Sequence, residues 1–235
     1  MPGIKKAMIL AAGFGTRLKP LTDSVPKALV KVNGIPMIEH VINKLVGFGI
    51  SYIVINTHHF AGQIEDFFNK KDFGVEIKLL YEKEILGTGG GIKNASEFLN
   101  DSGPFLVHNV DVVSEIDFDD LVKFHSANSD FVTLAVKKRD TKRPLIFDEE
   151  MNLIGRASEN KSYSYRNGVG EEKYFGFCGI HVISTEIFEN FNEKGFFDIF
   201  TPYFRLVSTR IIKAYDIKSA HWQDVGKLDL NIHSF

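Results

Sequence analysis

Residues 11–27 read AAGFGTRLKPLTDSVPK and gather groups able to work on a phosphate chain. They offer Gly13, Gly15, the Thr16 hydroxyl, the Arg17 guanidinium and the Lys27 ammonium. Glycines let a backbone bend so that successive N–H groups face one anion, and fixed cations can hold that anion against them. A triphosphate suits such a loop in length and charge. A dinucleotide fingerprint would need a third small residue where this chain has Leu18. A P-loop would end in Gly-Lys-Ser/Thr, which neither this loop nor the later glycine run contains. The planar fork of Arg17 suits the β- and γ-phosphates. Lys27 suits the α-phosphate, where charge changes as a phosphorus centre is attacked.

Two acids complete the set. Asp111 stands in HNVDVV, just after an apolar run, and Asp224 in HWQDVG. A pair of carboxylates from separate elements, with phosphate oxygens and water, suits Mg2+. Arg17, Lys27 and Asp111 are therefore the candidate catalytic residues, and Asp111 and Asp224 the candidate metal ligands.

These residues need elements to position them. Apolar runs at 4–11, 52–56, 75–80, 104–109 and 131–136 read as strands. Between them, 37–48, 61–69, 91–99 and 118–128 show helical spacing. Short buried strands alternating with helices predict an α/β fold: a Rossmann-like three-layer sandwich with a mostly parallel, mixed central sheet. In such sheets ligands bind beyond the carboxyl ends of the strands. The loop after Leu10, Glu82 after the third strand and Asp111 after the fourth all fall there. The pattern then changes. Strands are expected at 145–147, 152–156, 174–183 and 211–215, a mobile polar loop at 159–172, and a helix at 197–206. One domain over 1–235 is expected, with a nucleotide-binding part at 1–136 and an acceptor-binding part at 137–235.

Across nearly its full length, and most specifically in its N-terminal half, the chain resembles the nucleotidyltransferases that join a sugar 1-phosphate to a nucleoside triphosphate and release pyrophosphate. Their signature, G-x-G-T-R-L-x-P-L-T, is matched by Gly13, Gly15, Thr16, Arg17, Leu18, Pro20, Leu21 and Thr22. A P-K-x-L segment follows at Pro26, Lys27 and Leu29, and a G-x-P-M-I helix start at Gly34, Pro36, Met37 and Ile38. Such proteins often carry a second proline after the lysine, where this chain has Ala28. The resemblance implies the nucleotide-diphospho-sugar transferase type of sheet. It implies nucleotide contacts from Leu10, Ala11, Ala12, Gly13, Gly15, Thr16, Arg17, Lys27, Glu82, Gly87 and Thr88, with Glu82 and the Gly87 backbone at the base. It assigns metal ligation to Asp111 and Asp224. It places a sugar-phosphate site at Asn109, Glu159, Lys161 and Gly179, although the family's E-K-P triplet is altered here to Glu159-Asn160-Lys161.

The stretch IVINTHH with TGGG at 88–91 looks most like N-acetylmuramate 1-phosphate uridylyltransferases, so UTP with that acceptor or a similar hexose 1-phosphate is expected. GTP-dependent mannose or heptose 1-phosphate guanylyltransferases and CTP-dependent phosphocholine cytidylyltransferases resemble it nearly as well. A non-catalytic nucleotide-sugar-binding regulatory subunit is the alternative from another class. Four chemistry-bearing residues kept together argue against it.

Composition agrees with this reading. The 235 residues are 44% hydrophobic and 25% charged, with a net charge of −2. No broad basic surface is implied, so nucleic acid is not an expected partner. The single cysteine, Cys178, allows no internal disulfide and reads as a buried thiol. No apolar run reaches the roughly 20 residues that span a bilayer, and no signal-peptide pattern opens the chain. The expected setting is cytoplasmic, as a monomer or homo-oligomer handling NTP and sugar 1-phosphate.

Overall fold

The computed structural model describes residues 3–101, 103–158 and 161–226. Four strands lie parallel in the spatial order β3-β2-β1-β4: β1 (Lys6–Leu10), β2 (Tyr52–Thr57), β3 (Glu76–Tyr81) and β4 (Phe105–Asn109). They are linked through α1 (Met37–Phe48), α2 (Ala61–Asn69) and α3 (Gly87–Asn94). Two further elements follow β4: a short strand β5 (Val112–Ser114) and α4 (Phe118–Asn128). The sheet continues past β4 through β10 (Lys173–Ile183), which is antiparallel to it. β6 (Val132–Lys137) lies on the far side of β10, with β11 (Ile212–Asp216) parallel to β6. The sheet is thus mixed but mostly parallel, as the sequence predicts.

Each central strand feeds two cores, because successive side chains point to opposite faces. Ala7 and Ile9 of β1, Ile53 and Ile55 of β2 and Leu106 of β4 join the apolar face of α1 in one core. Met8, Val54, Phe105 and Val107 join Ile92 of α3 and Tyr203, Phe204 and Leu206 of α5 (Phe200–Leu206) in the other. This is why the strands read as near-continuous apolar runs. In α1, Met37, Ile38, Val41, Ile42 and Leu45 form the buried stripe. Gly49 ends the helix at φ 101°, a left-handed value that favours glycine.

The first residues of β10 turn away from the main sheet to pair with β7 (Leu145–Phe147). β8 (Leu153–Ser158) and β9 (Lys161–Ser164) extend that flank. Within the segment 159–172, read from sequence as a mobile loop, Lys161–Ser164 form a strand that pairs antiparallel with β8. The helix expected at 91–99 also differs. It starts at Gly87 and gives way after Asn94 to a separate turn, Ser96–Leu99. Glycine is a poor helix former, so a start after the glycines was the natural reading. Here they are packed. A Cβ at Gly89 would lie 2.4 Å from the Phe197 ring, and one at Gly90 2.6 Å from the Gly195 carbonyl oxygen. The segment preceding α5 fills the space that side chains would occupy.

The strand order reverses between β1 and β4. The chain steps from β1 out to β2 and β3, then crosses back to place β4 on the other side of β1. A crevice opens beyond the carboxyl ends at such a point.

Candidate active site

The loop after β1 is held by its own packing. Gly15 has φ 65° and begins a short helical turn, Thr16–Leu18. Its carbonyl accepts from Leu18 N–H at 2.8 Å and from the Thr22 hydroxyl at 2.9 Å. A Cβ there would meet Thr22 Cγ2 at 2.8 Å and Lys27 Cβ at 3.0 Å. Leu18, the residue that breaks the dinucleotide pattern, is fully buried and pins the turn to the core. Arg17 projects outward, half exposed, while Lys27 begins the turn Lys27–Leu29 and is largely buried.

The two cations and the two acids meet. Lys27 Nζ donates to Asp111 Oδ2. Arg17 lies 3.6 Å from that oxygen and 3.3 Å from Asp224 Oδ2. Asp111 and Asp224 are far apart in sequence, and a two-stranded ribbon joins them. β12 (Trp222–Asp224) pairs antiparallel with β5, with Asp224 opposite Val112, and Val225 N–H donates to the Asp111 carbonyl at 2.9 Å. The Trp222 indole anchors the ribbon by donating to the Cys178 carbonyl at 2.8 Å, and Arg139 stacks over its ring. Lys44 donates to the Ser114 carbonyl from beneath, and burial pushes its ammonium down to about 8. Burial also pushes the Cys178 thiol up to about 12, which suits a packed residue and not a nucleophile.

The acid pair fits a divalent ion. Gly226 N–H donates to Asp224 Oδ1 at 3.0 Å. A Cβ on Gly226 would stand 2.3 Å from Asp111 Oδ2 and 3.0 Å from Asp224 Oδ1. Glycine thus keeps free the space that both carboxylates border. No cluster of three or more His, Cys, Asp or Glu suited to a metal occurs among the described residues. The pair alone would leave most of an ion's shell to phosphate oxygens and water, the usual habit of Mg2+.

From this charged end a cleft of about 290 Å³ runs over the ends of β1 and β4. Leu10, Ala12, Gly13, Arg17 and Lys27 line it from the first loop, Ile85, Gly87 and Thr88 from the loop before α3, and Asn56, Asn109, Val110 and Asp111 from the strand ends. Of the expected nucleotide contacts, Gly15 supports the loop from behind and Thr16 faces solvent. Ala11 is buried, and its N–H donates to Asn56 Oδ1 at 2.8 Å.

Glu82 departs from expectation. It is 2% exposed and does not line the cleft. Its Oε1 accepts from Asn56 Nδ2 at 2.8 Å and its Oε2 from Leu86 N–H at 2.9 Å. It holds the next loop instead of reaching a base. The glycine run is likewise committed to packing, and Gly87, at φ 72° with a Cβ position only 2.7 Å from the Phe197 carbonyl oxygen, also lines the cleft.

Of the expected sugar-phosphate residues, Asn109 and Gly179 adjoin each other and Lys161 lies apart from them. Asn109 lines the cleft, and Gly179, buried at φ 73°, leaves room for its amide: a Cβ there would lie 2.9 Å from Asn109 Nδ2. Lys161 is exposed on β9, opposite Ser158 and away from the cleft lining. Glu159 lies outside the described residues. Asn56, Ile85, Val110 and Gly226 were not singled out from sequence as site residues. Asn56 carried a signal, a polar residue closing the apolar run IVIN, the same placement that marks Asn109.

The profile of the family described as Nucleotidyl transferase matches residues 6–147. Mannose-1-phosphate guanyltransferase 2 of Candida glabrata is 32% identical over 229 residues, covering 94% of this chain and 61% of that protein. Mannose-1-phosphate guanyltransferase of Saccharomyces cerevisiae is 32% identical over 235 residues, with the same two coverages. The chain thus spans about 61% of the length of these curated relatives. Among solved structures, the inositol-1-phosphate CTP transferase of T. maritima superposes with a TM-score of 0.77 at 21% identity, covering 96% of this chain and 91% of that one. That likeness is one of fold. No helix among the described residues is long and apolar enough to cross a membrane.

Proposed function

Because the chain belongs to the nucleotidyl transferase family, we propose that it moves a nucleoside monophosphate from an NTP to a sugar 1-phosphate and releases pyrophosphate. The observation that carries this reading is the meeting of Arg17, Lys27, Asp111 and Asp224 at one end of a cleft over the β1/β4 switch point. Nothing in dehydrogenation or simple nucleotide sensing requires that set.

An oxygen of the acceptor phosphate attacks the α-phosphorus in line, the α–β bridging bond breaks, and pyrophosphate leaves with the electron pair. The acceptor needs no general base, since a phosphate monoester with a second pKa near ~6 is largely dianionic at neutral pH. The barrier lies in bringing two anions together and in the charge that grows on the leaving group. Lys27, largely buried, meets the α-phosphate. Arg17 reaches outward to the β- and γ-phosphates with two N–H groups in one plane. Asp111 and Asp224 would hold Mg2+, which when bound offsets phosphate charge. Asn109, whose amide occupies the room that Gly179 leaves, bonds the acceptor's sugar in this reading.

For the substrates, GTP with mannose 1-phosphate is the pair we favour. The named activity of the fungal relatives supports it, whereas the UTP and N-acetylmuramate 1-phosphate reading rests on the motif resemblance alone. Pyrophosphate release measured for GTP, UTP, CTP and dTTP against mannose 1-phosphate, glucose 1-phosphate, N-acetylmuramate 1-phosphate and phosphocholine tests both levels. Release with GTP and mannose 1-phosphate is expected. Release only with UTP and N-acetylmuramate 1-phosphate would restore the motif-based pair. No release in any combination would remove the catalytic reading.

A further inference from the structure

The two walls of the cleft are joined underneath by a buried hydrogen-bonded chain. Ala11 N–H, in the first loop, donates to Asn56 Oδ1 at 2.8 Å. Asn56 Nδ2 donates to Glu82 Oε1 at 2.8 Å, and Leu86 N–H, in the opposite loop, donates to Glu82 Oε2 at 2.9 Å. Asn56 and Glu82 are 3% and 2% exposed. A second observation is independent of these distances. A Cβ at Gly91 would stand 2.7 Å from Asn56 Nδ2 and 3.0 Å from Glu82 Oε1. The helix that follows the second loop therefore carries a glycine where it meets this pair.

We propose that Asn56 and Glu82 are positioning residues for the nucleotide: their pair sets the separation of the Ala11–Gly13 and Leu86–Thr88 backbones and so the width of the slot between them. The inference rests on the nucleotidyl-transfer reading of the cleft. Neither residue touches the reacting phosphates. Asn56 shows only its edge to the cleft, and Glu82 is withdrawn from it. They act through the backbone groups at either side. A buried chain of this kind has one satisfied pattern of donors and acceptors, because an unmatched group in the interior is costly.

That polarity makes the inference testable. Asn56→Asp leaves an oxygen facing an oxygen of Glu82. Glu82→Gln sets an NH2 against either the Asn56 NH2 or the Leu86 N–H. Each single change breaks one link. The double variant, Asn56→Asp with Glu82→Gln, exchanges carboxyl and carboxamide and restores every link: the new Gln donates to the new carboxyl and still accepts from Leu86. GTP binding is measured by calorimetry for the full chain with Mg2+, together with nucleotide and acceptor KM. Amide exchange at Ala11 and Leu86 is followed without nucleotide.

Each single variant is expected to weaken GTP binding about tenfold or more. Nucleotide KM should rise with it while mannose 1-phosphate KM stays near wild type, and the double variant should recover most of the loss. Faster amide exchange at Ala11 or Leu86 in the singles, slowed again in the double, reads the chain directly. GTP binding unchanged in the singles, or a double variant no better than the worse single, overturns the inference and leaves nucleotidyl transfer standing. If wild type binds no nucleotide while exchange still follows the polarity swap, nucleotidyl transfer and the slot's purpose both fall, and only a structural tie remains. A single variant that fails to fold does not block the test, because recovery in the double is then the deciding measurement.

Discussion

At one end of the cleft four charged side chains from three separate stretches of chain meet above the sheet, two of each sign. At the other, the walls are backbone and uncharged side chains, and the polar groups that fix them lie below the surface as the Ala11–Asn56–Glu82–Leu86 chain. The charged end has its cations and acids in contact with each other, so its groups must change partners when a polyanion enters. The opposite end has its hydrogen bonds already satisfied and need not rearrange. The division suits the nucleotidyl transfer proposed above. Charge changes hands at the phosphates, where direct electrostatic contact lowers a barrier. A base changes little during transfer, so its site needs shape more than charge.

The largest effects should therefore come from the charged end and fall on turnover. Lys27→Ala and Asp111→Ala are each expected to lower kcat by about 100- to 1000-fold, with near-normal nucleotide-free folding by circular dichroism. The contrast with the polarity-swapped pair is the informative part. If Glu82→Gln lowers kcat as much as Lys27→Ala without moving nucleotide KM, the two ends do not divide the work and the comparison fails.

The same division explains what is legible in the sequence. The charged end was legible because its chemistry lies in side-chain identity. Arg17, Lys27, Asp111 and Asp224 are conspicuous types at recognisable spacings, and the β5/β12 ribbon brings the two acids close to each other. The other end was misread. The resemblance implied a base contact for Glu82, whereas the Asn56 amide and the Leu86 N–H draw its carboxylate inward. The glycine run looked too poor in helix formers to open α3. Its reason is the Phe197 ring and the Gly195 carbonyl, which come from a distant segment that no local pattern names. The parallel core was legible from its apolar runs. The hairpin of β8 and β9 was not, because its strand Lys161–Ser164 is exposed throughout and carries no alternation.

A second prediction probes the joint between the acids. Gly226→Ala places a methyl group where the Asp111 and Asp224 carboxylates converge, 2.3 Å and 3.0 Å from their oxygens. The carboxylates must separate or the ribbon must shift. Altering the support of metal ligands typically costs 10- to 100-fold in metal affinity or activity. The expected result is a loss of about that size in Mn2+ affinity, read by electron paramagnetic resonance of the free ion, with GTP affinity in the absence of metal little changed. Unaltered Mn2+ binding would mean that the acids do not hold the ion together.

Arg17 should give the smallest effect and the most telling sign. It is half exposed, and its pairs with Asp111 and Asp224 are long. Exposed pairs contribute about 0.2–1 kcal/mol, so Arg17 competes only weakly with a metal for the two acids. Arg17→Gln is therefore expected to tighten Mn2+ binding by up to roughly fivefold in the nucleotide-free protein. The gain should shrink as salt rises toward 0.15 M, where the screening length falls to about 8 Å. The same variant should bind GTP more weakly, because the fork that met the carboxylates is the one offered to the β- and γ-phosphates. One substitution would then move two ligands in opposite directions. If Mn2+ binding weakens along with GTP binding, Arg17 supports the acids instead of competing for them. The charged end would then be as fixed before binding as the other, and the contrast between the two would be lost.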